Sequence, residues 1–228
     1  MLSWLRPGAR DASRPDLAQA GALALHALLG LLPCAFEVGR SDPHVLPVWW
    51  ALVALPLGVH AGARGAGGWP YGLLPPIAWM LGYGFCSLAL LEPAPSPAWC
   101  GLAACGLWSF GLALGAWVAP RARGVCAAAL FACAICCALP IRAGRAEHTW
   151  AERSPRAAAL LLDLSPATLL VESAGLDWMR HRAIYHPAGT DWFSDRRAPY
   201  RGALASPLVF VLGWALALLA RRRARAAH

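Results

Sequence analysis

Lysine is absent from this chain: all 20 basic residues are arginine. That absence removes several chemistries at once. A phosphate-binding loop of the GxxxxGK[ST] type needs a lysine to reach the nucleotide phosphates, and Schiff-base or Ser-Lys catalysis needs a lysine amine. A process driven by ATP would therefore take its energy from a partner chain. Charge is also scarce, at 14% of residues against about 25% in an ordinary soluble domain. With 58% hydrophobic residues and a mean hydropathy of +0.48, the composition is that of a polytopic membrane protein in a lipid bilayer. The net charge of +8 would suit nucleic acid, but the excess gathers at the ends of apolar runs. Topology accounts for it, and no nucleic-acid partner is expected.

Metal-ligand and redox spacings are nearly as sparse. The eight cysteines lie within or beside apolar runs, and Cys133-Ala-Ile-Cys136 forms a lone CxxC. No second pair and no following histidine complete a zinc site, so packing is the expected role of these thiols. Neither a cofactor nor a metal is assigned.

What the sequence does contain is a set of long apolar runs near 17–36, 45–62, 70–91, 98–119, 124–142 and 204–220. Each is about the length that crosses roughly 30 Å of hydrocarbon. They predict an all-α fold, a six-helix transmembrane bundle. The first run continues into Pro33-Cys34-Ala35-Phe36 with no small-residue cleavage site, unlike a signal peptide. Charge then orients the bundle. Arg6, Arg10 and Arg14 precede the first run, Arg64 lies in the second loop, Arg121 and Arg123 in the fourth, and "RRRARAAH" ends the chain. The first and third loops lean acidic, with Glu37, Asp42 and Glu92. The positive-inside rule therefore places both termini in the cytoplasm, as a multi-pass protein of the cell (inner) membrane. Residues 1–142 hold five spans, 143–203 an extracytoplasmic cap, and 204–228 the sixth span and basic tail.

The cap interrupts the apolar pattern. "RAAALLLDL" (156–164) reads as a short helix. Ser165-Pro166 then supplies an N-cap followed by proline at the first helical position. Ala167, Leu170, Val171 and Ala174 would form one apolar stripe, with Thr168 and Glu172 on another face and Gly175 as the stop. The cap's aromatics and arginines suit the headgroup level. Asp177, His181, His186 and Asp191 are of the types that hold a divalent metal or act as a general base. Pro187 and Gly189 break any helix between them, and the spacing matches no ligand pattern. Glu172, Asp177, Trp178, Arg180, His181 and His186 are therefore expected to contact a substrate or partner. Arg64, Arg121 and Arg123 are the expected cytoplasmic partner contacts, and no catalytic residue is assigned.

Inside the spans, His26 and His60 invite a bis-histidine haem. Their depths in this topology differ by roughly 10 Å at about 1.5 Å per residue, which argues against a shared site. Ser109, in "GLWSFGLALG", lacks the Gly-x-Ser-Gly context of a rhomboid-type nucleophile, and both intramembrane histidines precede it. Gly101, Cys105, Gly106, Gly111 and Gly115 form a close helix-packing face.

The layout, with "LSP" at Leu164–Pro166 following the fifth run, resembles the membrane subunit of ABC-2 type transporters. That resemblance implies six helices, cytoplasmic termini, short re-entrant helices before the last span, a homo- or hetero-dimer and a separate ATPase subunit. The loop "ARGAGGWP" is shorter than the coupling segment such permeases carry there. The expected function is a permease-like subunit and not an enzyme. The alternative is a membrane scaffold or assembly protein whose outer loop docks a partner.

Overall fold

The computed structural model describes residues 17–36, 42–63, 71–89, 96–143, 154–177 and 201–226. Among them all regular structure is helical: α1 (Leu17–Leu31), α2 (Val45–Ala63), α3 (Leu74–Ala89), α4 (Pro97–Trp117), α5 (Arg123–Ala143), α6 (Pro155–Leu164), α7 (Pro166–Ser173) and α8 (Gly202–Ala226). Four stretches are long and apolar enough to cross a membrane: Leu17–Ala35, Val45–Ala63, Pro97–Trp117 and Gly202–Arg223. The outward faces of the helices are apolar too. Leu81, Phe85 and Leu88 on α3, and Leu204, Leu208 and Val211 on α8, are all exposed. Continuous faces of this kind are uncommon on soluble monomers.

α4 is the hub, packed against α2, α3 and α8. Where both the core and the surroundings are apolar, helices gain more from close approach than from burial, so small residues belong at the contacts. The sequence meets this with "GVHAG" at 58–62 facing "GLALG" at 111–115. A Cβ on Gly58 would strike the Trp108 carbonyl, on Gly62 the Leu112 carbonyl, on Gly111 the Leu55 carbonyl and on Gly115 the Val59 carbonyl. The small residues of α4 thus do pack closely, but not on a single face. Gly111 and Gly115 meet α2, Gly106 meets Val209 and Phe210 of α8, and Gly101 meets Met80 of α3. Ring-like placement of small residues lets one helix take three close neighbours. The same contacts fix direction: α2, α4 and α8 run one way, and α1 and α3 run back.

α1 ends at a proline, and its neighbours answer the defect. Pro33 has no N–H, so it can serve neither the Leu29 carbonyl in an α turn nor the Gly30 carbonyl in the 3₁₀ turn Leu32–Ala35. Trp49 Nε1 donates to Leu29 O at 2.8 Å, and Trp50 Nε1 to Gly30 O at 2.9 Å. Consecutive indoles thereby serve both carbonyls that the missing proline N–H could have reached. Trp49→Phe is expected to lower stability by about 0.5–1.5 kcal/mol, the usual worth of such a bond. In a Pro33→Ala background, where residue 33 regains an N–H that can donate to the Leu29 carbonyl, much of that loss should vanish. A double-mutant cycle of unfolding in detergent reads the coupling, and fully additive losses would refute the pairing.

The cap closes one end of the bundle. Ser165 Oγ accepts from Ala167 N–H at 3.2 Å, with Pro166 at the first helical position. At the far end of α7, Gly175 has φ 77°. Leu176 N–H bonds to Val171 O at 3.1 Å and Gly175 N–H to Glu172 O at 3.0 Å, the paired bonds of a Schellman stop. Ala167, Leu170, Val171 and Ala174 are buried as their spacing requires. Thr168, expected on the polar face, is buried instead. Its hydroxyl donates to the carbonyls of Leu162 and Ser165 and ties α6 to α7. Ser96 N–H donates to Ala174 O at 2.9 Å, and a Cβ on Gly202 would meet Ser173, so the cap sits at the starts of α4 and α8.

Candidate functional site: a histidine pair below an aromatic column

The described charged residues among those singled out by sequence, Glu172, Asp177, Arg121 and Arg123, divide between the two ends. Glu172 is half-buried on α7 and Asp177 is exposed just past its stop. Trp178, Arg180, His181, His186 and Asp191 lie outside the described residues, as does Arg64. Arg121 is exposed at the opposite end. Arg123 is half-buried, donating from Nε to Val118 O at 3.2 Å and from Nη1 to Ala63 O at 3.0 Å. A guanidinium on the last carbonyl of α2 meets the negative end of that helix. Arg123 therefore holds the α4–α5 turn against α2, whatever else it touches.

The arrangement that sequence reasoning missed lies inside the bundle. His26 Nε2 and His60 Nδ1 are 2.9 Å apart, with ring centroids separated by 5.1 Å. The expected 10 Å difference in depth is overturned. Cα–Cβ bonds in a helix lean toward its N-terminus. α1 and α2 are antiparallel, so the two side chains lean toward each other and close the gap that backbone rise alone suggests. His26 is 2% exposed, whereas His60 is open to the surroundings. At 2.9 Å the two nitrogens share one hydrogen, one ring donating and the other accepting. No haem fits between them, because two axial nitrogens need a separation of about 4 Å across the iron at roughly 2 Å each.

From this pair a column of rings runs up the bundle. His26 meets Trp108 edge-on at 5.6 Å, Trp108 meets Trp79 edge-on at 5.5 Å, Trp79 stacks on Trp50 at 6.0 Å, and Trp50 meets Tyr83 edge-on at 5.4 Å. All three tryptophans and Tyr83 are fully buried. A buried indole needs an acceptor. Trp79 Nε1 finds His26 O and Ala27 O, each at 3.1 Å, and Trp108 Nε1 finds Gly72 O at 2.8 Å. The column is thus bonded to backbone at each tryptophan and fills the bundle centre with rigid surface.

Two readings from sequence acquire a physical basis. Ser109 is buried and its hydroxyl donates to Cys105 O at 2.8 Å, the helix back-bond of a structural serine. Cys100 and Cys105 are buried packing residues, but Cys133 and Cys136 are exposed on the outer side of α5 and lie outside the core. Among the described residues no group of three or more His, Cys, Asp or Glu could hold a metal ion. No family model, curated protein or solved structure matches the chain.

Proposed function

We propose that this chain is a six-helix, permease-like membrane subunit of an ABC-type transporter, set in the cell membrane with both termini cytoplasmic and energised by a separate ATPase. The observation that carries this reading is the α6–α7 pair. Two short helices joined at Ser165-Pro166 are inserted between the fifth long helix and the last, and they seat on the starts of α4 and α8. In this reading α3 and α5 complete six crossings, and α6–α7 close the outer exit. Exposed Trp99 and Trp117 near the two ends of α4 support the crossing, since about 27 Å of helix separates them and aromatic belts mark both membrane surfaces. Lacking lysine, the chain has no GxxxxGK[ST] phosphate loop, and in this reading the nucleotide chemistry belongs to the separate ATPase.

The filled centre shapes both this proposal and its rival. Trp50, Trp79 and Trp108 occupy the middle of the bundle, so substrate would move along an outer face, between two copies or between this chain and a partner. The same filled centre favours the second reading, a membrane scaffold whose cap docks an extracytoplasmic protein. Mild-detergent affinity purification from the native membrane, followed by mass spectrometry, separates them. A stoichiometric cytoplasmic ATPase is the expected result. Recovery of an extracytoplasmic partner through residues 143–203, with no ATPase, would replace the permease reading by the scaffold.

A further inference from the structure

The two ends of the bundle differ sharply in charge. On the topology read from sequence, the end opposite the cap carries Arg6, Arg10, Arg14, Arg64, Arg121, Arg123 and the four arginines of the tail, against Asp11 and Asp16. Ten arginines face two acids, a surplus of eight. The same topology assigns the other ten arginines and ten acids to the capped end, which is balanced. On that topology the whole net charge of the protein resides at one end. Among the described residues that end holds no carboxylate at all: Asp42, Asp163, Glu172 and Asp177 belong to the other.

The described arginines also share a level. α4 and α8 run parallel and touch where Gly106 meets Gly213. Arg221 lies eight residues beyond Gly213, or about 12 Å along α8. Gly115, which abuts Ala63, lies nine residues beyond Gly106, or about 13 Å along α4. Arg123 grips the Ala63 carbonyl at that same level. α8 stays helical through Arg221, Arg222 and Arg223 to Ala226, with Arg222 and Arg223 exposed, as Arg121 is. Trp117, the 43% exposed last residue of α4, marks this level as the membrane surface.

We propose that this belt binds the phosphodiester groups of anionic lipid headgroups in the adjoining leaflet. The partner follows from charge complementarity: a fixed surplus of cations at headgroup depth, without carboxylates among the described neighbours, takes its counter-ions from the lipid. Arginine suits the task, because its planar fork grips phosphate oxygens in pairs and remains charged at every relevant pH. Arg123 anchors the belt to the backbone. Arg121, Arg222 and Arg223 present the free forks.

The test uses the full chain in nanodiscs of mixed phosphatidylglycerol and phosphatidylcholine, with spin-labelled lipid of each kind reporting the fraction immobilised on the protein. Each arginine near an anionic surface strengthens association by about fivefold. Wild-type protein should thus prefer phosphatidylglycerol several-fold at low salt, and the preference should collapse near 1 M salt, where screening acts within about 3 Å. The triple variant R121Q/R222Q/R223Q should lose most of the preference, while R156Q at the capped end keeps it. Equal association of the two lipids with wild-type protein overturns the proposal, including the case in which inorganic phosphate or an acidic protein binds instead. So does a preference that persists in the triple variant. Should that variant misfold, the salt dependence of the wild-type preference decides alone.

Discussion

Leucine in place of Gly111 is expected to remove at least about 3 kcal/mol of stability, enough to prevent recovery of a single folded species in mild detergent. The reason is geometric. A Cβ there runs into the Leu55 carbonyl oxygen and stands 2.8 Å from Gly58 Cα, so the first atom of any side chain meets backbone on the facing helix. A flexible side chain could swing aside; a helix backbone cannot, except by moving α2 away from α4. Overpacking of a core usually costs about 1–3 kcal/mol where side chains yield, and this site offers nothing that yields. Separation would also break the neighbouring approaches at Gly58, Gly62 and Gly115, which share the interface. Gly124→Ala supplies the control. Nothing lies within 4 Å of a Cβ at Gly124, and alanine in a helix is favoured over glycine by about 0.5–1 kcal/mol. Thermal unfolding of both variants in the same detergent measures the contrast. Equal stability of G111L and G124A would show that α2 and α4 do not meet as described.

Which features were legible in the sequence follows from how local their causes are. The spans are apolar runs bounded by prolines and charges adjacent in the chain, although α8 stays helical beyond its run through Arg221–Arg223. The last apolar run, read as 204–220, lies within α8 at Gly202–Ala226, and the run read as 45–62 differs from α2 by one residue. The cap joint was equally readable, because Ser165, Pro166 and Gly175 act on backbone within a few residues of themselves. Thr168 was misplaced since its acceptor, Leu162 O, belongs to the preceding helix. The histidine pair escaped for a related reason. Depth was judged from backbone rise, while contact depends on side-chain lean and on which helices are antiparallel neighbours. The α4 glycines announced close packing, but the identity of their three partners is a tertiary fact. Pro33 and Trp49-Trp50 form a pattern that could have been found: a helix-ending proline leaves carbonyls bare, and paired indoles on the next helix are obvious donors.

The second large effect is expected at Gly30, and its size depends on a tryptophan 49 positions away. A Cβ on Gly30 would overlap the Trp79 indole at Cε2 and Nε1. Here the obstacle is a side chain, so the outcome depends on whether that side chain can move. Trp79 is fully buried, stacked on Trp50, edge-on to Trp108 and bonded through Nε1 to the carbonyls of His26 and Ala27. Retreat would press the indole on Trp50 or Trp108 or break its bonds to α1. Gly30→Leu should therefore cost about 2–4 kcal/mol, near the severe end for overpacking. Trp79→Ala should cost about 3–5 kcal/mol through the cavity it leaves. The two defects are complementary in shape, because leucine on α1 projects into the space the indole vacates. The double variant G30L/W79A should accordingly be more stable than the sum of the single losses implies, by about 1–3 kcal/mol. Unfolding free energies of the four proteins in one detergent give that coupling directly. Simple additivity would mean that Gly30 and Trp79 do not share a site, and the register of α1 against α3, on which the aromatic column rests, would have to be redrawn.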